Sequence, residues 1–186
     1  MPLTPERMMW VPPEHRPVVG WPNDARVALW VVPNVEHHEY LPLPDAHRNP
    51  RPRTPHPDVA QYSRRGYGNR VGFWRMLEVL DKHQVRATVS LNVGVLEHYP
   101  EIAKAMTERD WAFMSHGIYN SRYLFEQTKD QEREFYRDTL GTIKRITGRD
   151  AKGMLGPALT ATVNTPDLMA EAGLIYHADW QNDDQP

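Results

Sequence analysis

Arg26-Val27-Ala28-Leu29-Trp30-Val31-Val32-Pro33-Asn34 runs directly into Val35-Glu36-His37-His38-Glu39. Residues 26–34 are β-branched and apolar on both faces, the pattern of a strand buried in a parallel sheet. Carboxylates and imidazoles then follow at the strand's end. Eighty positions later the arrangement recurs, with Trp111-Ala112-Phe113-Met114 leading into Ser115-His116-Gly117-Ile118-Tyr119-Asn120. A third instance, Asp179-Trp180-Gln181-Asn182-Asp183-Asp184, closes the chain.

Between these segments apolar residues recur at a spacing of three to four. Val71–His83 carries Phe73, Trp74, Leu77 and Leu80 on one helical stripe. Val85–Asn92 reads as a second strand. Pro100–Arg109 is a helix opened by a first-turn proline, and Trp111–Ser115 is a third strand. Asp130–Thr147 is a long charged helix with Tyr136, Leu140, Ile143 and Ile146 on one side and Gly148 just past its end. Met154-Leu155 is a short fourth strand. Thr165 caps a helix over Pro166–Ala172, and Leu174–Trp180 is a fifth strand. Strict alternation of strand and helix means α/β architecture with about five parallel strands and crossover helices. Residues 1–25 and the proline-rich stretch 41–68 read as irregular, the latter as a lid or pocket wall.

The chain has 186 residues, a formal charge of −2 and no Cys. That length can bury one sizeable core, so a single domain spanning 1–186 is expected. Thiolate chemistry and zinc–sulfur sites are excluded. No basic stripe offers a nucleic-acid surface, and no apolar run approaches the ~20 residues of a membrane span. A cytoplasmic protein acting on a small molecule is the simplest expectation.

In a β/α barrel, reactive groups lie at the carboxyl ends of strands. Glu36, His37, Asn92, His116, Asn120, Asp179 and Asp183 all fall there. A carboxylate at a barrel mouth is expected to have its pKa raised by desolvation, which suits a general base. The alternative for Glu36 is a solvated carboxylate, or one paired with an Arg of the 41–68 stretch. His116 can polarise a carbonyl, stabilise an oxyanion or bind a metal. His37 and His38 are adjacent, so one at most faces the site if the strand persists. Asn34, Asn120, Arg122, Trp180 and Asp183 are candidate substrate contacts. His-Glu-x-x-His and Gly-x-Ser-x-Gly are both missing, which disfavours a zinc peptidase and a serine esterase.

Five ordered blocks carry a family resemblance. They are residues 21–37, Tyr67–Gly72, Ser115–Gly117 with Asn120–Tyr123, Leu155–Pro157, and Ala178–Trp180 with 182–186. In these the chain resembles the polysaccharide deacetylase superfamily, and within it the allantoinase-like and cyclic-imide hydrolase branch. The resemblance implies a distorted (β/α) barrel and hydrolysis of a carbon–nitrogen bond other than a peptide bond. It places Glu36 at the base position and His37 at a metal-ligand position. His116 and Asn120 take the remaining ligand positions, where the sugar deacetylases carry two histidines. A divalent metal such as zinc would therefore use His37, His116 and Asn120, and these substitutions point equally to an enzyme without metal. Family members continue past the fifth strand to a late Leu-His motif. A C-terminally truncated, partial barrel is accordingly expected, with an unpaired edge open to a homo-oligomer. The preferred activity is hydrolysis of a small cyclic imide, ureide or amide by Glu36 and His116. The rivals are a metal-dependent deacetylase of N-acetylated sugars in carbohydrate metabolism and an inactive fragment or binding module.

Overall fold

A computed structural model of the chain describes residues 11–42, 57 and 59–181. The described residues fall into two units, 30–181 and 11–29. Residues 11–29 of the smaller unit are irregular, apart from 3-10 turns at Pro13–His15 and Pro22–Asp24. Among the described residues no helix is long and apolar enough to cross a membrane.

The larger unit holds one parallel sheet. Its strands are β1 (Asn34–Val35), β2 (Thr88–Leu91), β3 (Ala112–Ser115), β4 (Gly153–Met154) and β5 (Tyr176–His177), side by side in chain order. The register aligns Asn34 with Ser90, Leu91 with Ser115, Ser115 with Met154, and Met154 with His177. Every crossover moves one place in the same direction, as in a β/α barrel. Trp30 lies four residues before β1, and Tyr176 opens β5. Their rings meet edge to face at 5.8 Å. Tyr176 lies over Gly153, where a Cβ would fall 2.0 Å from its ring, so only glycine fits.

The helices are α1 (Val59–Tyr67), α2 (Phe73–Lys82), α3 (Gly94–His98), α4 (Pro100–Glu108), α5 (Lys129–Thr147) and α6 (Thr165–Glu171). A π-helical turn, Gly68–Gly72, joins α1 to α2. Thr128 and Gln131 form a reciprocal capping box that starts α5, and Gly148 ends it at φ 71°. Trp111, Phe113, Leu91, Met106 and Phe73 fill one core cluster. Tyr136, Met154, Leu168 and Leu124 fill another.

Four readings need correction. The strand expected over 26–34 is reduced to Asn34–Val35, and Val27 and Leu29 are 78% and 84% exposed. Its carbonyls still accept from β2, at Val31, Pro33 and Val35. Pro33 has no N–H to return, and β1 is an outer strand of the sheet, so the ladder stays one-sided. The irregular stretch expected to run to residue 68 gives way to α1 at Val59, while residues 43–56 and 58 lie outside the described residues. Residues 94–98, assigned no element from the sequence, form α3. The expected cap at Thr165 falls instead at Asn164.

Candidate active site

Three strand ends are tied together by one amide. Asn92, fully buried just past β2, accepts the His37 N–H on Oδ1 at 3.0 Å and donates through Nδ2 to the His116 carbonyl. Parallel strands would otherwise diverge beyond their last ladder bond. Asn92 thereby fixes the neighbouring segments that carry Glu36 and His116.

Glu36 stands at the centre. His116 Nε2 lies 3.6 Å from its Oε1. Asn120 donates through Nδ2 to its Oε2 at 2.5 Å. Asn69, buried in the π-helical turn, donates to its main-chain carbonyl at 2.7 Å. The pKa of Glu36 is lowered, reversing the expected direction. The His116 imidazole beside it is the main cause, and it outweighs desolvation; the Arg65 charge adds to the lowering. Glu36 is thus a carboxylate held ionised at the strand end.

His116 is 4% exposed, and its Nδ1 lies 2.6 Å from the Leu155 carbonyl. A carbonyl only accepts, so Nδ1 carries a proton and Nε2 is the nitrogen left to face Glu36. Gly117, at φ +75°, turns the chain immediately after it against Pro157 and Phe135. A cavity of about 390 Å³ opens beside Glu36, bordered by Asn34, His38, Arg65, Asn69 and Phe73 among others.

The remaining sequence candidates separate. Asn34 borders the cavity, and Asn120, expected as a substrate contact and metal ligand, holds Glu36. Arg122 does not turn to Glu36: its fork closes on Glu39, with Nη2 at 2.8 Å, and it stacks over the Tyr119 ring. Trp180 donates to His177 Nδ1 at 2.9 Å. Since indole N–H only donates, His177 carries its proton on Nε2, 3.0 Å from Asp179 Oδ2. Asp179 Oδ1 in turn accepts the Gly156 N–H. Asp183 lies outside the described residues.

His37 is the clearest reversal. Its ring packs away from Glu36, 4.5 Å from His98 and beside Tyr99 and Tyr119. His38 is the histidine that faces the site, with Nε2 3.3 Å from Asn120 Nδ2 and in contact with Arg65 Nη1. Strand alternation carried the signal, because Glu36 and His38 are two apart and share a face. Arg65 and Asn69 were not named as site residues, although the 41–68 stretch offered an Arg to pair with Glu36 and Asn69 lies in the Tyr67–Gly72 block; the end of α1 and the π-helical turn bring them in.

The expected metal ligands His37, His116 and Asn120 are therefore not assembled. Among the described residues no three His, Asp or Glu side chains stand together as a metal site would need. The donor chemistry disagrees as well. An ionised Glu36 requires the NH₂ of Asn120 to face it, which turns away the amide oxygen that a cation needs, and that oxygen is buried. Where a further ligand would act, His38 Nε2 already meets the Arg65 guanidinium. This set does not fit a divalent ion.

Burial holds the His37 pKa down at about 4, against an ordinary 6.5, with His98 adding to the effect. Between those values the unfolded chain binds a proton that the folded chain refuses, so stability rises with pH there. Acidifying from pH 6.5 to 4 should cost about 3 kcal/mol at this residue. His37→Phe should remove that part of the slope in urea melts taken across the range. An unchanged slope would exclude His37 as its source.

A parallel α/β sheet with an ionised carboxylate, an imidazole and an amide converging on its carboxyl rim has its polar groups where β/α barrels carry their active sites. The profile of the polysaccharide deacetylase family matches residues 65–177, and the chain belongs to that family. A Schizosaccharomyces pombe protein named as a polysaccharide deacetylase is 25% identical over 185 residues, across 89% of this chain and 57% of its own. A structure from Pseudomonas aeruginosa PAO1, also named a polysaccharide deacetylase, is 28% identical at a TM-score of 0.71, covering 88% of this chain and 57% of the other. The Puue allantoinase structure shares the fold at a TM-score of 0.70 and 24% identity, with the same coverage of 88% and 57%. The chain thus spans 57% of the length of these relatives.

Proposed function

We propose that this site hydrolyses a carbon–nitrogen bond in a small cyclic imide, ureide or amide without using a metal ion. The observation that carries the reading is Glu36, kept ionised by His116 and held by an amide NH₂ where a metal site would need a ligand oxygen. Family membership supports carbon–nitrogen hydrolysis at the coarser level.

In the first step the Glu36 carboxylate takes a proton from water as the water oxygen bonds to the carbonyl carbon. Negative charge develops on the carbonyl oxygen. With Nδ1 already donating to Leu155, Nε2 of His116 can donate to that oxygen only as the imidazolium. Such a preplaced donor is often the largest contribution in acyl transfer. In the second step the carbon–nitrogen bond breaks, and the proton on Glu36 passes to the leaving nitrogen. Turnover then needs Glu36 ionised, which gives a pH profile with an acid limb. That limb should fall below the ordinary glutamate value of 4.5, because the pKa of Glu36 is lowered.

The second reading, a metal-dependent deacetylase of N-acetylated sugars, is favoured by the family match itself. A panel of a cyclic imide, allantoin and an N-acetylglucosamine oligomer, assayed with and without chelator, separates the two. Imide or allantoin turnover that survives chelation is expected. Turnover of the oligomer alone, restored only by added divalent ion, would transfer the assignment to the second reading. Silence on all three would refute both and leave a binding role.

A further inference from the structure

We propose that Arg65 is the specificity residue of this pocket, and that it selects substrates bearing a carboxylate beside the scissile carbon–nitrogen bond. The inference rests on the reading of the Glu36 cavity as a carbon–nitrogen hydrolase site. Arg65 lies in the last turn of α1 and borders the same cavity as Glu36. Its Nη1 meets Nε2 of His38, and that nitrogen also receives the Asn120 NH₂ at 3.3 Å. With two donors aimed at it, His38 Nε2 is an acceptor and carries no proton. The contact therefore orients the guanidinium without neutralising it. Asn120 continues the chain to Oε2 of Glu36, so the cation and the base are held through shared side chains.

Elsewhere in the larger unit, arginines at several positions close on carboxylates. Arg109 pairs with Asp81, Arg122 with Glu39, Arg133 with Glu171, and Arg145 with Glu97. Among the described residues Arg65 has an imidazole in that place. A guanidinium offers five donors in a planar fork matched to a carboxylate. The adjoining π-helical turn leaves room for the ligand: Gly68 and Gly72 both border the cavity, and a Cβ on either would meet no atom within 4 Å. Glu36 would repel an acidic substrate, and the Arg65 fork supplies the opposing charge.

The test compares binding of hydantoin-5-acetic acid with that of its neutral carboxamide by titration calorimetry of the 186-residue chain. With Arg65 in place the chain should favour the acid, since hydrogen bonds to a charged group are worth roughly 10- to 100-fold in affinity. Arg65→Gln should remove most of that ratio, Arg65→Lys should keep part of it, and the preference should weaken as salt is added. Equal affinity for the two compounds, no binding of either, or an acid preference that survives Arg65→Gln would overturn the proposal. The titrations are run in the Glu36→Gln background, where the compounds are not turned over, so binding is read alone. Loss of the hydrolase reading with the Arg65-dependent preference intact would therefore be seen as a separate result.

Discussion

Glu36→Gln is expected to lower kcat by roughly 10²- to 10⁴-fold, the usual contribution of a positioned general base. Glutamine keeps the shape and an acceptor oxygen for the Asn120 NH₂, but it cannot take a proton from water. Glu36 is partly exposed, so the fold should barely notice the change, and the melting temperature should stay within a degree or two of wild type. The measurement is turnover of the preferred imide or ureide beside a thermal melt of the same preparation. Full activity in Glu36→Gln would remove the base assignment, and so would a lost fold that alone accounts for the lost activity. Asn120 and His116 both act on the same carboxylate, so their variants should not add to the Glu36 effect as independent sites would.

Glu132→Ala should be the most damaging single change to stability. Glu132 is completely buried in the first turns of α5. Its oxygens accept from three hydroxyls: Tyr136 at 3.0 Å, Thr162 at 2.6 Å, and Thr165. The start of α6 is thereby fastened to the start of α5. Burial, aided by the neighbouring Glu132, raises the pKa of Tyr136, which keeps the phenol a donor. Removing the carboxylate leaves buried hydroxyls without their acceptor and opens a cavity beside Tyr136. The expected cost is about 3–5 kcal/mol. For a chain of this size that corresponds to a melting temperature lowered by roughly 10 °C. Glu132→Gln, which preserves volume and one acceptor, should lose markedly less. Equal losses for the two variants would mean that shape, and not the acceptor network, is what matters at this position.

Tyr136 and Glu132 lie four apart, on the same stripe of α5. The sequence showed a charged helix with one apolar side, but a glutamate on that side carries no mark of whether it will be solvated or enclosed. Its partners Thr162 and Thr165 are 30 and 33 residues away, supplied by the crossover to α6. The same distinction runs through the active site. Glu36, His116 and Asn120 were legible because each follows an apolar run, and parallel strands deliver such residues to one rim. His37 was misassigned through its place in a motif, when the two-residue period of a strand pointed to His38. Arg122 looked like a substrate contact until Glu39 closed its fork.

The strand–helix alternation, the parallel sheet and the three polar groups at its rim could be read from the residues alone, since hydrophobic period and strand polarity are local properties. That Glu36 is ionised, that His37 is sunk among aromatic rings, and that Arg65 borders the cavity follows from packing in three dimensions. Charge state and side-chain direction depend on what packs across from a residue, and those neighbours come from segments that the local pattern does not pair.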